Sequence, residues 1–208
     1  MAVSDHDSSF YVFYDRLQTV QADKIPEFIR EADCKLTLHR NCRNTENVCR
    51  TSMSLIQQDI NTLFLNSIAG KIPRLHFCAA SVPQIKIVDG IIDELKEAGI
   101  ENIVILTLET ERDSFMGNYA AFGTYGGCRF TTCRKFKGLE ADAVILVDFT
   151  EQTVLKNTLL FYVGASRARL RLEVVTDMDN AACSRFMKNA VGQREFRRPM
   201  REFASLLN

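Results

Sequence analysis

The chain lacks most of the features that mark membrane, secreted or metal-holding proteins. No apolar stretch in its 208 residues approaches the roughly 20 residues needed to cross a bilayer as a helix. The opening MAVSDHDSSF is acidic and polar, without the basic-then-apolar order of a secretory signal. The 7 cysteines are odd in number and contain no C-x-x-C pair. That argues against a zinc site or a disulfide framework, and for reduced thiols in a cytoplasmic protein. The 3 histidines, His6, His39 and His76, share no ligand spacing, so no metal site is expected. The 26 Lys and Arg balance the 26 Asp and Glu, so no global basic field advertises nucleic acid or an anionic membrane. Local basic loops are still compatible with that balance. No internal repeat or low-complexity linker is visible.

What is present is an alternation of strand and helix patterns on a length suited to one domain with a full core and a short appendage. SFYVFYD (9–15) reads as a strand, and DKIPEFIREA (23–32) as a short helix with Pro26 tolerated in its first turn. CKLTLHR (34–40) alternates like a strand. A long helix is expected next, capped by Asn44 or Thr45 and running to about Leu65. RLHFCAA (74–80) is a strand. The stretch 83–99 is an amphipathic helix with Ile85, Val88, Ile92 and Leu95 on one face and Gly99 at its C-terminal cap. NIVILTL (102–108) is a buried strand and 111–127, rich in Gly and Tyr, a loop. CRFTTCR and DAVILVDF are strands around a glycine-containing turn. TLLFYVGASRA (158–168) is a helix, LRLEVVTD (170–177) a last strand, and the remainder helical. Such alternation specifies an α/β domain with a parallel sheet and helices on both faces.

The chemistry gathers at strand and helix ends. The run Val144, Ile145, Leu146, Val147 has the continuous apolar character of a central parallel strand. Directly ahead of it stands the charged turn Lys135 to Glu140. Three further stretches combine an element end with residues suited to phosphate: Asp15-Arg16-Leu17-Gln18, Asn41-Cys42-Arg43-Asn44-Thr45, and Tyr162 to Arg167. Arg43 and Arg167 are permanently charged planar forks that match phosphate oxygens. Gln18 is of the type that orients an attacking water.

In this order, YDRLQ, NCRNT, TCRKFKGLEA and YVGASRA resemble the third to sixth motifs of the second RecA-like domain of superfamily 1 DNA helicases of the UvrD/Rep kind. The resemblance runs from about residue 9 to about 176 and is strongest in the last two motifs. It implies a RecA-like fold in which residues 1–30 are the tail of an upstream RecA-like domain and its connecting helix, and 31–208 the second motor domain. It also implies that Gln18, Arg43 and Arg167 face the γ-phosphate of ATP, that Glu140 bonds the ribose, and that Gly138 permits close backbone approach. Thr132, Arg134 and Lys137 would lie towards single-stranded DNA, so that the turn couples the nucleotide cleft to the DNA track. Both guanidinium groups are expected on one edge of the sheet beside Glu140, on an exposed face, with neither anchoring the core.

The sequence departs from the family pattern at defined places. Cys42 stands where the family stacks a tyrosine on adenine, Arg134 replaces a histidine, Tyr14 replaces a glycine, and Gln21 stands where an aromatic often follows. No G-x-x-x-x-G-K-[ST] phosphate loop and no acidic magnesium pair ahead of residue 9 are found. The chain therefore reads as the C-terminal part of a larger ATP-dependent helicase. ATP and Mg2+ would act in the complete protein with metal ligands outside this chain, and an N-terminal RecA-like ATPase domain would be its partner. Two other readings are a RecA-like interaction or nucleic-acid-binding module without ATPase chemistry, and a doubly wound domain for another phosphate ligand. The second of these lacks any G-x-G-x-x-G.

Overall fold

The structure, a computed structural model, describes residues 12–13, 26–32, 34–36, 40–56, 63–64, 68–78, 83–179, 181–183 and 185. Of the expected strand at 9–15 only residues 12–13 are described, without strand, and Gln18 lies outside the described residues. Of the expected strand at 34–40, residues 34–36 carry no strand and 37–39 lie outside the described residues. The described chain opens with a short helix α1 (Glu27–Arg30), followed by β1 (Arg40–Asn41), helix α2 (Glu46–Met53) and β2 (Leu63–Phe64). The two short strands pair in parallel. Next come β3 (Arg74–Phe77), α3 (Gln84–Glu97), β4 (Ile103–Thr107), β5 (Thr124–Tyr125), β6 (Cys128–Thr132) and β7 (Ala141–Val147). Helices α4 (Glu151–Lys156) and α5 (Thr158–Ala165) precede the last strand, β8 (Ala168–Thr176).

Six strands form the main sheet in the order β3-β8-β7-β4-β6-β5. All neighbours are parallel except the edge strand β5, which runs antiparallel to β6. The alternating side chains of the central strands divide between two cores, as a pleated strand covered on both faces requires. Val104, Leu106, Val144, Leu146, Leu172 and Val174 face a core shared with Val48 and Leu55 and with Leu160 and Phe161 of α5. Ile103, Ile105, Ala143, Ile145, Val147 and Val175 face the other, under α3. Helix α3 supplies Ile85, Val88, Ile91, Ile92 and Leu95 at helical spacing. It ends ahead of Gly99, whose φ of 77° suits a left-handed terminating residue.

Two further expectations need correction. The helix after Thr45 stops at Met53 rather than near Leu65, and Leu63 and Phe64 are strand. The cause is local. The hydroxyls of Ser52 and Ser54 donate to the carbonyls of Cys49 and Thr51, and such back-bonding in a Ser/Thr-rich turn weakens a helix. Short apolar segments such as 63–64 fit either period. The stretch 111–127 is also not all loop. It carries a 3-10 turn at Phe115–Asn118 and the edge strand β5. No helix among the described residues is long and apolar enough to cross a membrane.

Candidate nucleotide and nucleic-acid site

The loop 41–45 is built around asparagine side chains. Asn41 Oδ1 accepts the backbone N–H groups of Arg43 (3.0 Å) and Asn44 (3.1 Å), which folds the loop tightly ahead of α2. Asn44 Nδ2 then donates to two carbonyls across the domain, Ser166 (2.9 Å) and Ala168 (2.5 Å). The Thr45 N–H donates to the Arg169 carbonyl at 3.0 Å. The fourth and sixth motif segments are thereby tied together. The N-terminus of α2 is not open to an anion, because the N–H groups of Glu46 and Asn47 donate to the carbonyls of Ile68 and Ala69. Thr45 is the N-cap, yet its side chain makes no capping bond. Anion binding here would therefore rest on the Arg43 side chain rather than on the helix end.

The connection 133–140 runs from the carboxyl end of β6 to the amino end of β7 across the intervening β4. The Cys133 N–H donates to Thr107 O, the Phe136 N–H to Thr132 O, and the Leu139 N–H to Phe136 O, coiling the segment into successive turns. Phe136 is buried and anchors it to the sheet. Gly138 has a φ of 88°, and a Cβ placed there would meet nothing within 4 Å. Glycine is therefore required by the backbone conformation and not by internal packing, and the peptide is open to approach from outside. Glu140 ends the connection. Its carboxylate accepts from Arg43 Nε at 2.5 Å, both side chains being a little over one-third exposed.

Arg43 and Glu140 thus meet at the amino ends of β7 and β8, as expected, but Arg167 does not join them in the open. Its side chain is 1% exposed and is the largest fully buried one among the described residues. Arg167 Nε donates to the Val163 carbonyl (3.0 Å) and an Nη to Ser166 Oγ (3.1 Å). Its backbone carbonyl accepts from Ala141. The expectation of an exposed guanidinium that anchors nothing is corrected. The turn between α5 and β8 is pulled against the sheet by Asn44 and by Ala141, and the arginine that follows Ser166 is carried inward with it.

The residues expected to face DNA lie at the other edge. Thr132 closes β6, is largely buried, and its hydroxyl accepts the Lys135 N–H at 3.1 Å. Arg134 and Lys137 are exposed in the turns that follow. Lys135 is held by Glu111 at 2.7 Å, and the Arg129 guanidinium lies 5.6 Å from the Phe136 ring centroid, so the basic strip is partly engaged within the domain. Burial pushes the Cys133 thiol up to about 12, so it stays neutral and adds no charge between Thr132 and Arg134.

Two features escape sequence reasoning. Asn44 looks like a capping residue but serves as a bridge between segments remote in sequence. Asp148, at the carboxyl end of β7, has a φ of 59°. Its carboxylate accepts from Thr107 Oγ1 (2.5 Å), Ser114 Oγ (2.6 Å) and the Phe115 N–H (3.3 Å). These bonds fix the loop after β4, and an aspartate closing an apolar strand was its only signal.

The sheet order, the parallel strands and the motif-bearing connections define an α/β domain of RecA-like fold. Residues 127–175 match the family model of the UvrD-like helicase C-terminal domain. That segment holds the TCRKFKGLEA and YVGASRA stretches. Among curated proteins no sequence matches. Solved structures similar to the chain include the C-terminal domain of a possible DNA helicase from Lactobacillus plantarum WCFS1 (17% identity, TM-score 0.48), over 65% of this chain and 86% of that one. PRRSV helicase (17%, TM-score 0.39) and PRRSV nsp10 helicase (16%, TM-score 0.36) are covered over 23% of their lengths, against 68% and 65% of this chain.

Proposed function

We propose that the chain is the second motor domain of an ATP-dependent DNA helicase or translocase, working with an N-terminal RecA-like domain that carries the phosphate loop and the magnesium ligands. On this reading residues 1–30 are the tail of that upstream domain and 31–208 the motor domain. The observation that carries it is the path of 133–140. One short connection joins Thr132 and Arg134 at the carboxyl edge of the sheet to Gly138, Glu140 and Arg43 at the amino edge. A change at the nucleotide end is thereby transmitted to the DNA end through a segment anchored at its middle by Phe136.

Bound ATP would supply the phosphoanhydride whose cleavage drives movement. The residues of this chain fit part of such a ligand. Arg43 is exposed enough to reach a phosphate once it leaves Glu140, Glu140 can accept from ribose hydroxyls, and the open peptide at Gly138 admits close approach. Gln18 is placed at the γ-phosphate by resemblance alone. Arg167 would reach the phosphate only by leaving its bond to Val163, so its role requires the turn 166–169 to shift when the partner domain docks.

The test is ATP turnover and single-strand translocation by the complete protein, with Arg43 and Glu140 varied separately. Loss of turnover in Arg43→Ala with retained DNA binding supports the motor reading. Unchanged turnover sinks it. The burial of Arg167 favours a second reading, a RecA-like interaction module without ATPase function. It predicts that no arginine of this chain affects turnover.

A further inference from the structure

The turn at Ala121–Thr124 holds a phenylalanine where the fold gains nothing from one. Phe122 is fully exposed and has a φ of 51°, with Gly123 following at 73°. Two consecutive left-handed residues make the tight hairpin turn that favours Asn-Gly. A bulky side chain there is disfavoured, and no burial offsets the cost. The turn is well fixed all the same. Ala121 and Thr124 exchange backbone bonds of 3.0 and 2.9 Å. Thr124 Oγ1 donates to the Ala121 carbonyl at 2.8 Å, and the Phe130 N–H donates to the Gly123 carbonyl at 2.8 Å. The ring is held out on a rigid support.

Its position names the ligand. Thr124 pairs with Arg129 and Gly123 bonds to Phe130, which sets Phe122 beside the last residues of β6, at the edge that carries Thr132 and Arg134. One ring, with half-exposed Tyr119 nearby in sequence, is far too little area for a stable protein interface of roughly 1,200 Å² or more. A single ring is what one nucleobase needs for stacking. We propose that Phe122 stacks on a base of single-stranded DNA whose backbone passes Arg134. This rests on the motor-domain reading and supplies an aromatic at the DNA edge, where Gln21 offers none.

The purified chain and a fluorescent oligodeoxythymidylate at low salt test it by anisotropy. Phe122→Ala is expected to weaken binding about tenfold, as loss of one stacked base does. The chain has 0 tryptophans, so Phe122→Trp introduces a single reporter whose emission should be quenched by the oligonucleotide. Phe122→Gly relieves the left-handed strain, so it should raise the melting temperature while weakening binding. Unchanged binding in Phe122→Ala, with binding weakened in Arg134→Ala, overturns the stacking role and leaves the DNA track standing. No binding by the unaltered chain, even at low salt, overturns both. A fall in melting temperature in Phe122→Gly would show that the ring packs within the fold, and also overturns the proposal.

Discussion

At the residue scale the two arginines part company. Arg43 is exposed and shares its charge with Glu140, a contact worth at most about 1 kcal/mol at such exposure. Arg43→Ala should therefore leave the melting temperature of the chain nearly unchanged by calorimetry. In the complete protein it should lower ATP turnover by on the order of a hundredfold, since an arginine acting on transition-state charge contributes that much or more. Arg167 is different because its side chain is buried and donates to Val163 and Ser166. Removing it leaves a space and two acceptors short of a charged donor. Arg167→Ala is expected to destabilise the chain by about 2–4 kcal/mol in denaturant unfolding, so its turnover must be read at a temperature where the variant is folded. Lysine should not restore turnover, because a point charge cannot reproduce the planar fork. Turnover restored by lysine would mean that charge alone matters at this position.

At the scale of elements, the sheet was legible in the sequence where apolar runs are long. The buried pattern of β7 and the spacing of Ile85, Val88, Ile92 and Leu95 in α3 come directly from residue type. Less legible was whatever depends on partners far along the chain. Glu173 would pass for an exposed charge, yet it is 0% exposed in β8. It accepts from Arg74 (2.8 and 3.0 Å), His76 (2.8 Å) and Arg171 (2.9 Å), holding the edge strand β3 to β8. Burial alone would raise its pKa, but the hydrogen bonds from His76, Arg74 and Arg171 outweigh it and hold the carboxyl below its ordinary 4.5. A depressed folded pKa gives stability that is complete above the unfolded value and lost as pH falls through the folded one. Urea titrations should therefore show a loss of stability below about pH 4.5 that Glu173→Gln reduces, the variant being less stable than the parent at neutral pH. Close packing of α5 on the motif turn was equally hidden. A Cβ on Gly164 would lie 2.5 Å from Cys133 Sγ and 2.9 Å from Leu146 Cδ1. Gly164→Ala should cost about 1–3 kcal/mol in the same assay, and Cys133→Gly in that background should restore part of it.

At the scale of the whole molecule, the balanced charge and the partners of the basic strip decide how the isolated chain meets DNA. A protein gains affinity for single strands by releasing counterions, with a salt slope of about −0.7 per phosphate neutralised. Lys135 is engaged by Glu111 and Arg129 lies against Phe136, so only part of the strip meets phosphate, Arg134 among it, and the slope should be shallow, about −1 to −2. Binding should be weak at low salt and lost near physiological ionic strength. An aromatic stack is insensitive to salt, so Phe122→Ala should lower the affinity at every salt concentration without changing the slope, whereas Arg134→Ala should flatten it. A titration of the oligonucleotide across ionic strength separates the two. Tight binding that survives high salt would point instead to a dedicated binding module, because a short, partly engaged basic strip and one ring cannot supply it. The reading of this domain as one half of a motor then stands or falls with the affinity that an N-terminal partner adds. In the complete protein the DNA would be gripped by both domains, and the same Arg134→Ala change should remove only one contact from a steeper slope.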